Sequence, residues 1–432
     1  MTVNANYNNG IASKDDLKIT SGTITVYAVN DGIKGRDSLA VKDSLITVIA
    51  GADGLQSNND EDPEEGFVII EGGTINITAG LDGVQAETSL LVSGGMLDIV
   101  TGGGSVASSG DGFGGRGMEG NANQTEESMK GIKAGVDLTI SGGTIKISAR
   151  DDDLHSNGTM TINDGDLQIA SGDDAAHADT ALTINGGTLN ITESYEGLES
   201  LAITINDGTI HLIASDDSLN ASDGSGDGMM GGMPGGGDGF QSGNGLVAIY
   251  GGYLYVDAGG DGLDSNGTME MSGGVVLVNG PTNNGNGPLD FGSFNISGGF
   301  LVAVGSSGMA QAPSETSTQY SVMHNFDVVQ PAGTMIHIET QDSEDILTFI
   351  PTKDYQSVLL SSPELEKNQT YVVYSGGSST GDATDGLYAD GDYIAGTQIT
   401  SYTISSIVTG GAATGGFPMG PGGPGGGRPT RP

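Results

Sequence analysis

The sequence predicts an all-β chain wound as a parallel β-helix of roughly 22-residue coils, closed by a small C-terminal β-rich cap. Three observations carry that reading. First, the last glycine of a recurring Gly-Gly or Asp-Gly step falls at Gly73, Gly95, Gly143, Gly165, Gly187, Gly208, Gly252 and Gly274. Second, each glycine is followed by aliphatics two apart, as in Thr74-Ile75-Asn76-Ile77 and Thr188-Leu189-Asn190-Ile191, which is strand rather than helix alternation. Third, an acidic turn recurs after each such strand, seen in Asp31-Gly32-Ile33, Asp82-Gly83-Val84, Glu196-Gly197-Leu198 and Asp261-Gly262-Leu263.

The elements follow in order. Each coil has one strand before the glycine step, such as Leu138-Thr139-Ile140 or Leu182-Thr183-Ile184, one after it, and a third side carrying the acidic turn. About eleven coils rising roughly 4.8 Å each make a rod of about 50 Å. Inward positions are Ile, Leu and Val; outward ones are Thr, Asn, Asp and Ser. The β-helix is expected over residues 1–310, with insertions at 57–66, 102–129 and 223–245. The last two are expected to leave the coil at the same side, as flexible glycine-rich loops. Alternating segments such as Met335-Ile336-His337-Ile338 and Thr370-Tyr371-Val372-Val373-Tyr374 place the cap at 311–408, and 409–432 reads as a disordered Gly/Pro-rich tail.

Composition narrows the partners. The net charge of −41, from 55 acidic and 14 basic residues, repels nucleic acid and favours cations, divalent metals above all. With no cysteine there is no disulfide, thiolate metal site or thiol nucleophile. No apolar run is long enough for a transmembrane helix. Residues 2–13 are polar, so Met1 does not open a signal peptide, and the chain reads as starting in mid-solenoid.

In a uniform register the acidic turns stack into a column: Asp31, Asp53, Asp82, Asp152, Asp174, Glu196, Asp217 and Asp261, with Asp151, Asp173 and Asp216 as a second row. Unit charges about 4.8 Å apart repel by roughly 3.5 kcal/mol at an effective dielectric near 20. Such a ladder calls for neutralisation, and several Ca2+ ions held by carboxylate and carbonyl oxygens would supply it. Asp-Gly is also a good turn by itself, which suffices for Asp31, Asp53 and Asp82. The doubled aspartates exceed what a turn needs. Three residues past the column lie Lys34, Gln56, Gln85, Lys133, His155, His177, Glu199, Asn220, Asp264 and Asp290. Lys133, His155 and His177 then line up on consecutive coils, a site for a carboxylate-bearing ligand or simply a solvated face. Tyr195, beside Glu196, is a sugar-stacking candidate. Tyr253 and Tyr255, stacked on Val275 and Leu277 with Phe300 nearby, are either a contact surface or the seat of the cap.

The ordered blocks Lys130-Gly131-Ile132-Lys133-Ala134, Leu154-His155-Ser156-Asn157, Asp173-Asp174-Ala175-Ala176-His177-Ala178-Asp179, Ser194-Tyr195-Glu196-Gly197-Leu198-Glu199, Asp216-Asp217-Ser218-Leu219-Asn220 and Gly260-Asp261-Gly262-Leu263-Asp264 resemble the bacterial carbohydrate-binding domain-containing β-helix proteins, a family similar in structure to polysaccharide lyases. The resemblance implies a right-handed β-helix carrying calcium and exported to the bacterial surface. It also implies binding of plant polysaccharide, cellulose or acidic sugars of the pectin type, without established cleavage. Metal ligands would be Asp151, Asp152, Asp173, Asp174, Glu196, Asp216, Asp217 and Asp261; carbohydrate contacts would be Lys133, His155, His177, Tyr195, Glu199 and Asn220. Two alternatives stay open. One is a calcium-dependent lyase, in which Lys133, backed by Lys130 and Arg150, removes the C5 proton. The other is a structural or adhesive surface solenoid that associates end to end.

Overall fold

The computed structural model describes residues 1–106, 127–222 and 243–411. The protein is all-β, with no helix among these residues, and most strands belong to one large sheet with predominantly parallel pairing. Within it each strand pairs with its counterpart one repeat later, so three ladders run side by side. The first passes through Gly22–Ala28, Ser44–Ala50, Thr74–Ala79 and Met96–Thr101 and continues to Val275–Asn279 and Phe300–Gly305. The second is built from three-residue strands, among them Ile132–Ala134, Leu154–Ser156, Ala176–Ala178 and Leu198–Ser200. The third includes Ser38–Val41, Phe67–Ile70, Ser89–Val92, Ala181–Ile184 and Ala202–Ile205.

Two sequence features enforce this register. The eight glycines of the repeat all take positive φ, from 79° at Gly252 to 132° at Gly165, where a Cβ would be strained. In the acidic turn, the glycine after the column residue is needed for close approach. A Cβ on Gly131 would collide with the Asp153 carbonyl and the Ile147 side chain. Gly131→Ala is therefore expected to cost about 1–3 kcal/mol, read by chemical denaturation. Inside, Ile33, Leu55, Val84, Ile132, Leu154, Ala176, Leu198, Leu219, Leu263 and Leu289 form a fully buried aliphatic column.

Beyond Gly305 the pairing changes sense. Tyr355–Ser361 adds antiparallel to Phe300–Gly305, and Ser321–Gln330 adds antiparallel to it in turn. The last strand thus has a partner on its outer edge, where bare backbone would template association. A separate six-stranded sheet holds Ile336–Thr340, Asp345–Phe349, Thr370–Ser379, Ala383–Thr384, Leu387–Tyr388 and Tyr393–Thr403. It sits over the outer face of the first ladder. Leu277 and Val302 are fully buried there, with Tyr253, Tyr255, Val275 and Phe300 packed alongside. The Tyr253 hydroxyl donates to Asp385 at 2.7 Å, and Lys353 pairs with Asp257 at 2.5 Å. The tyrosine patch is therefore the seat of this sheet and not an open contact surface.

Two expectations are corrected, the start of the tail and the shared side of the glycine-rich insertions. Val408–Gly410 is a strand paired with Ser321–Gln330, so order reaches past 408; the rest of the tail lies outside the described residues. The acidic insertion at 57–66 is a compact turn, in which the Asn59 side-chain oxygen accepts the Glu61 amide at 2.9 Å and Arg36 pairs with Glu61 at 2.7 Å. Of the two glycine-rich insertions, residues 107–126 and 223–242 lie outside the described residues, but their anchor points do not share a side. The first leaves after Met96–Thr101, before the short strand; the second leaves after the short strand Leu219–Ala221.

Candidate functional site

The short strands of the second ladder each present a central side chain outward between two buried ones. Their register gives Lys34↔Gln56↔Gln85↔Lys133↔His155↔His177↔Glu199↔Asn220↔Asp264↔Asp290. This is the outward row read from the sequence. The imidazoles of His155 and His177 stack with centroids 5.0 Å apart and planes 15° from parallel.

The acidic column is also real, with one addition that sequence counting missed. Backbone bonds from Gly83 to Lys130 and from Gly131 to Asp152 place Lys130 in the column, between Asp82 and Asp152. Column carboxylates do two jobs at once. One oxygen accepts the amide of the column residue in the next coil, as Asp82 does from Lys130 at 2.8 Å and Asp152 from Asp174 at 3.3 Å. The other faces the outward residue three further on. Lys34 lies 3.4 Å from Asp31, Lys133 3.6 Å from Asp82, His155 2.8 Å from Asp152 and His177 3.2 Å from Asp174. Hence the carboxylates in the middle of the ladder face lysine and histidine side chains of the same chain.

Electrostatics divide the predicted metal residues into two zones. In the middle zone Lys130 sits 3.2 Å from Asp151 and bonds to Asp152. Burial lowers the Lys130 pKa, but Asp152 and Asp151 outweigh it and hold the ammonium protonated. Asp152 is penalised by burial, yet His155 and Lys130 keep it well below the usual carboxylate range. Burial likewise opposes charge on His177, but hydrogen bonds to Asp174 and Glu199 push it up to about 11. It is an imidazolium at neutral pH, bonded to Glu199 at 2.6 Å and to Asp179 at 3.1 Å. Asp174, His177 and Glu199 thus form one internally neutralised cluster.

The second zone is acid against acid. Burial raises Asp217 well above the ordinary range, and Asp261, Asp216 and Asp264 push it further. Asp261 rises to about 7 through burial, despite accepting the Gly287 amide, with Asp290 and Asp216 adding to the rise. The carboxylates of Asp216 and Asp217 converge over Gly260, where a Cβ would strike both. Tyr195 stands in the second row between Asp173 and Asp216, and its hydroxyl bonds to Asp216, which holds it protonated. Asn220 donates to Glu196 at 2.9 Å. Arg150 is an exposed side chain just past Asp137–Ala149.

An all-oxygen donor set suits a hard cation. Asp151, Asp152 and Asp173 bring carboxylate oxygens within 4.8 Å of one another, but Lys130 already sits on two of them. In the second zone the donors are carboxylates, and neighbouring like charges add to the raised pKa of Asp217 and Asp261. Sequence reading also missed Asp153. It takes the place of the turn glycine, is fully buried, and accepts the Ala149 amide at 2.7 Å through one oxygen.

Residues 1–175 match the family model described as carbohydrate-binding domain-containing protein. The resemblance read from the sequence is borne out over that stretch, which holds Lys130, Lys133, Asp151 to Asp153, His155, Asp173 and Asp174 and ends just before His177. No curated protein and no solved structure matches the chain. Among the described residues no helix is long and apolar enough to cross a membrane.

Proposed function

We propose that the three ladders coil as a right-handed parallel β-helix that acts outside the cell as a non-catalytic, calcium-binding holder of acidic polysaccharide. The observation that carries the reading is the unbroken run Lys133, His155, His177 on consecutive coils, each backed by a column carboxylate. It presents the Lys133 ammonium, the His155 ring and the His177 imidazolium to sugar carboxylates or hydroxyls at the repeat of the coil. The family match over 1–175 supports carbohydrate as the ligand class. Asp216, Asp217 and Asp261 would hold calcium, which supplies charge neutralisation and a bridge to an acidic sugar.

In the lyase alternative Lys130 is a poor stand-in for Lys133 as the base, because Asp151 and Asp152 hold it protonated. Asp217→Asn is expected to remove most of the calcium-induced rise in Tm while leaving glycan affinity in calcium-free buffer within about twofold. Thermal scans with and without calcium, beside glycan titrations, check it. Equal calcium shifts in both proteins would place the ion elsewhere.

A further inference from the structure

The six-stranded sheet, a different sheet from that of the charged stripe, gathers His337, Glu339 and Asp345 with ligand atoms all within 4.8 Å of one another. Their meeting is built into the pairing. His337 opposes Thr348 and Ile338 opposes Leu347, so regular register would set Ile346 opposite Glu339. A β-bulge after Ile338 skips Ile346 and brings Asp345 there instead. Bulges of this kind re-aim side chains and concentrate next to functional sites.

The distances point to a cation. His337 Nε2 lies 3.4 Å from Glu339 Oε2 and 3.5 Å from Asp345 Oδ1. A direct bond between imidazolium and carboxylate closes to about 2.7–2.9 Å. By contrast, donors about 2.0–2.1 Å from a tetrahedral ion lie about 3.4 Å apart along its edges. The surroundings orient the ligands. His337 is fully buried, with Nδ1 2.8 Å from the Thr348 hydroxyl, a partner that orients the ring with Nε2 toward Glu339 and Asp345. The Tyr393 ring stacks on the imidazole at 3.7 Å, and the Tyr374 hydroxyl donates to the other Glu339 oxygen at 2.9 Å. Asp345 is half exposed, which gives an ion a way in.

We propose that His337, Glu339 and Asp345 form a three-ligand site for a borderline first-row divalent cation, of the Zn2+ class, with water in the fourth position. One nitrogen and two carboxylate oxygens suit zinc and disfavour calcium, which takes six to eight oxygens. The test is calorimetric titration of Zn2+ into chelator-treated, dialysed full-length protein, with Glu339→Gln, Asp345→Asn and Asp217→Asn in parallel. The expected result is one tight site in the parent protein and in Asp217→Asn, weakened at least tenfold in each of the other two. Absorbance with Co2+ gives a second readout, an intense visible band from a four-coordinate site that Asp345→Asn removes. Absence of tight zinc binding in the parent, unchanged affinity in both sheet variants, or loss in Asp217→Asn would each overturn the proposal.

Discussion

Replacing Asp152 with alanine is expected to destabilise the protein by about 3–5 kcal/mol, the cost of breaking a buried ion pair from one side. The side chain is 4% exposed and serves three partners: the Lys130 ammonium, His155 Nδ1 at 2.8 Å and the Asp174 amide at 3.3 Å. Its removal leaves a largely buried ammonium with Asp151 alone at 3.2 Å, an imidazole without its carboxylate, and an amide without its acceptor. Replacing both partners is far cheaper, so Asp152→Leu with Lys130→Met is expected to recover most of the loss. Urea unfolding of the three proteins checks this. An Asp152→Ala cost below about 1 kcal/mol would mean that the ladder's ion pairs behave as exposed ones.

The second large effect is a fall of stability with rising pH in calcium-free buffer. Burial, with Asp82 and Asp31 nearby, pushes Asp53 up to about 7, and Asp261 rises as far. Asp153 and Asp217 move the same way, burial leading in both. The unfolded chain releases these protons near pH 4 while the folded chain keeps them. Each such group therefore contributes its full stability below about pH 4 and loses about 1.4 kcal/mol per pH unit until its folded pKa is passed. His177 acts in the same direction. Its stabilisation is complete below its unfolded value of 6.5 and is lost as pH rises through about 11. Asp152 sets the acid limit, since its lowered pKa gives stability that is lost as pH falls below about 3.8. The Tm is expected to peak between about pH 4 and 5 and to drop by pH 8, with Asp53→Asn shrinking the drop. A Tm that rises from pH 5 to 8 in chelator would contradict this assignment of charges.

How much of this was legible in the sequence depended on where the repeat holds. The outward row from Lys34 to Asp290 could be read because a fixed period and the strand alternation together determine register. Lys130 escaped because the insertion at 102–129 removes the count that would have placed it in the column, and it is a lysine where the pattern asks for an acid. Asp153 escaped because three successive aspartates read alike, and only the turn geometry sends the third into the core. The two zones of the stripe are a matter of which carboxylate has a cation three residues on, a pattern visible once Lys133, His155 and His177 are set beside Asp264 and Asp290. The terminal sheet was readable only as alternating strands. Its pairing is antiparallel and without period, so neither the Tyr253 to Asp385 clasp nor the bulge that brings Asp345 to His337 has a sequence signature.

The most direct measurement titrates polygalacturonate into the protein with calcium by calorimetry while absorbance at the unsaturated-uronate band is followed on the same samples. The account predicts saturable binding with flat absorbance, weakened at least tenfold by combining Lys133→Ala with His177→Gln. Rising absorbance abolished by Lys133→Ala alone, or binding indifferent to both substitutions, would contradict it.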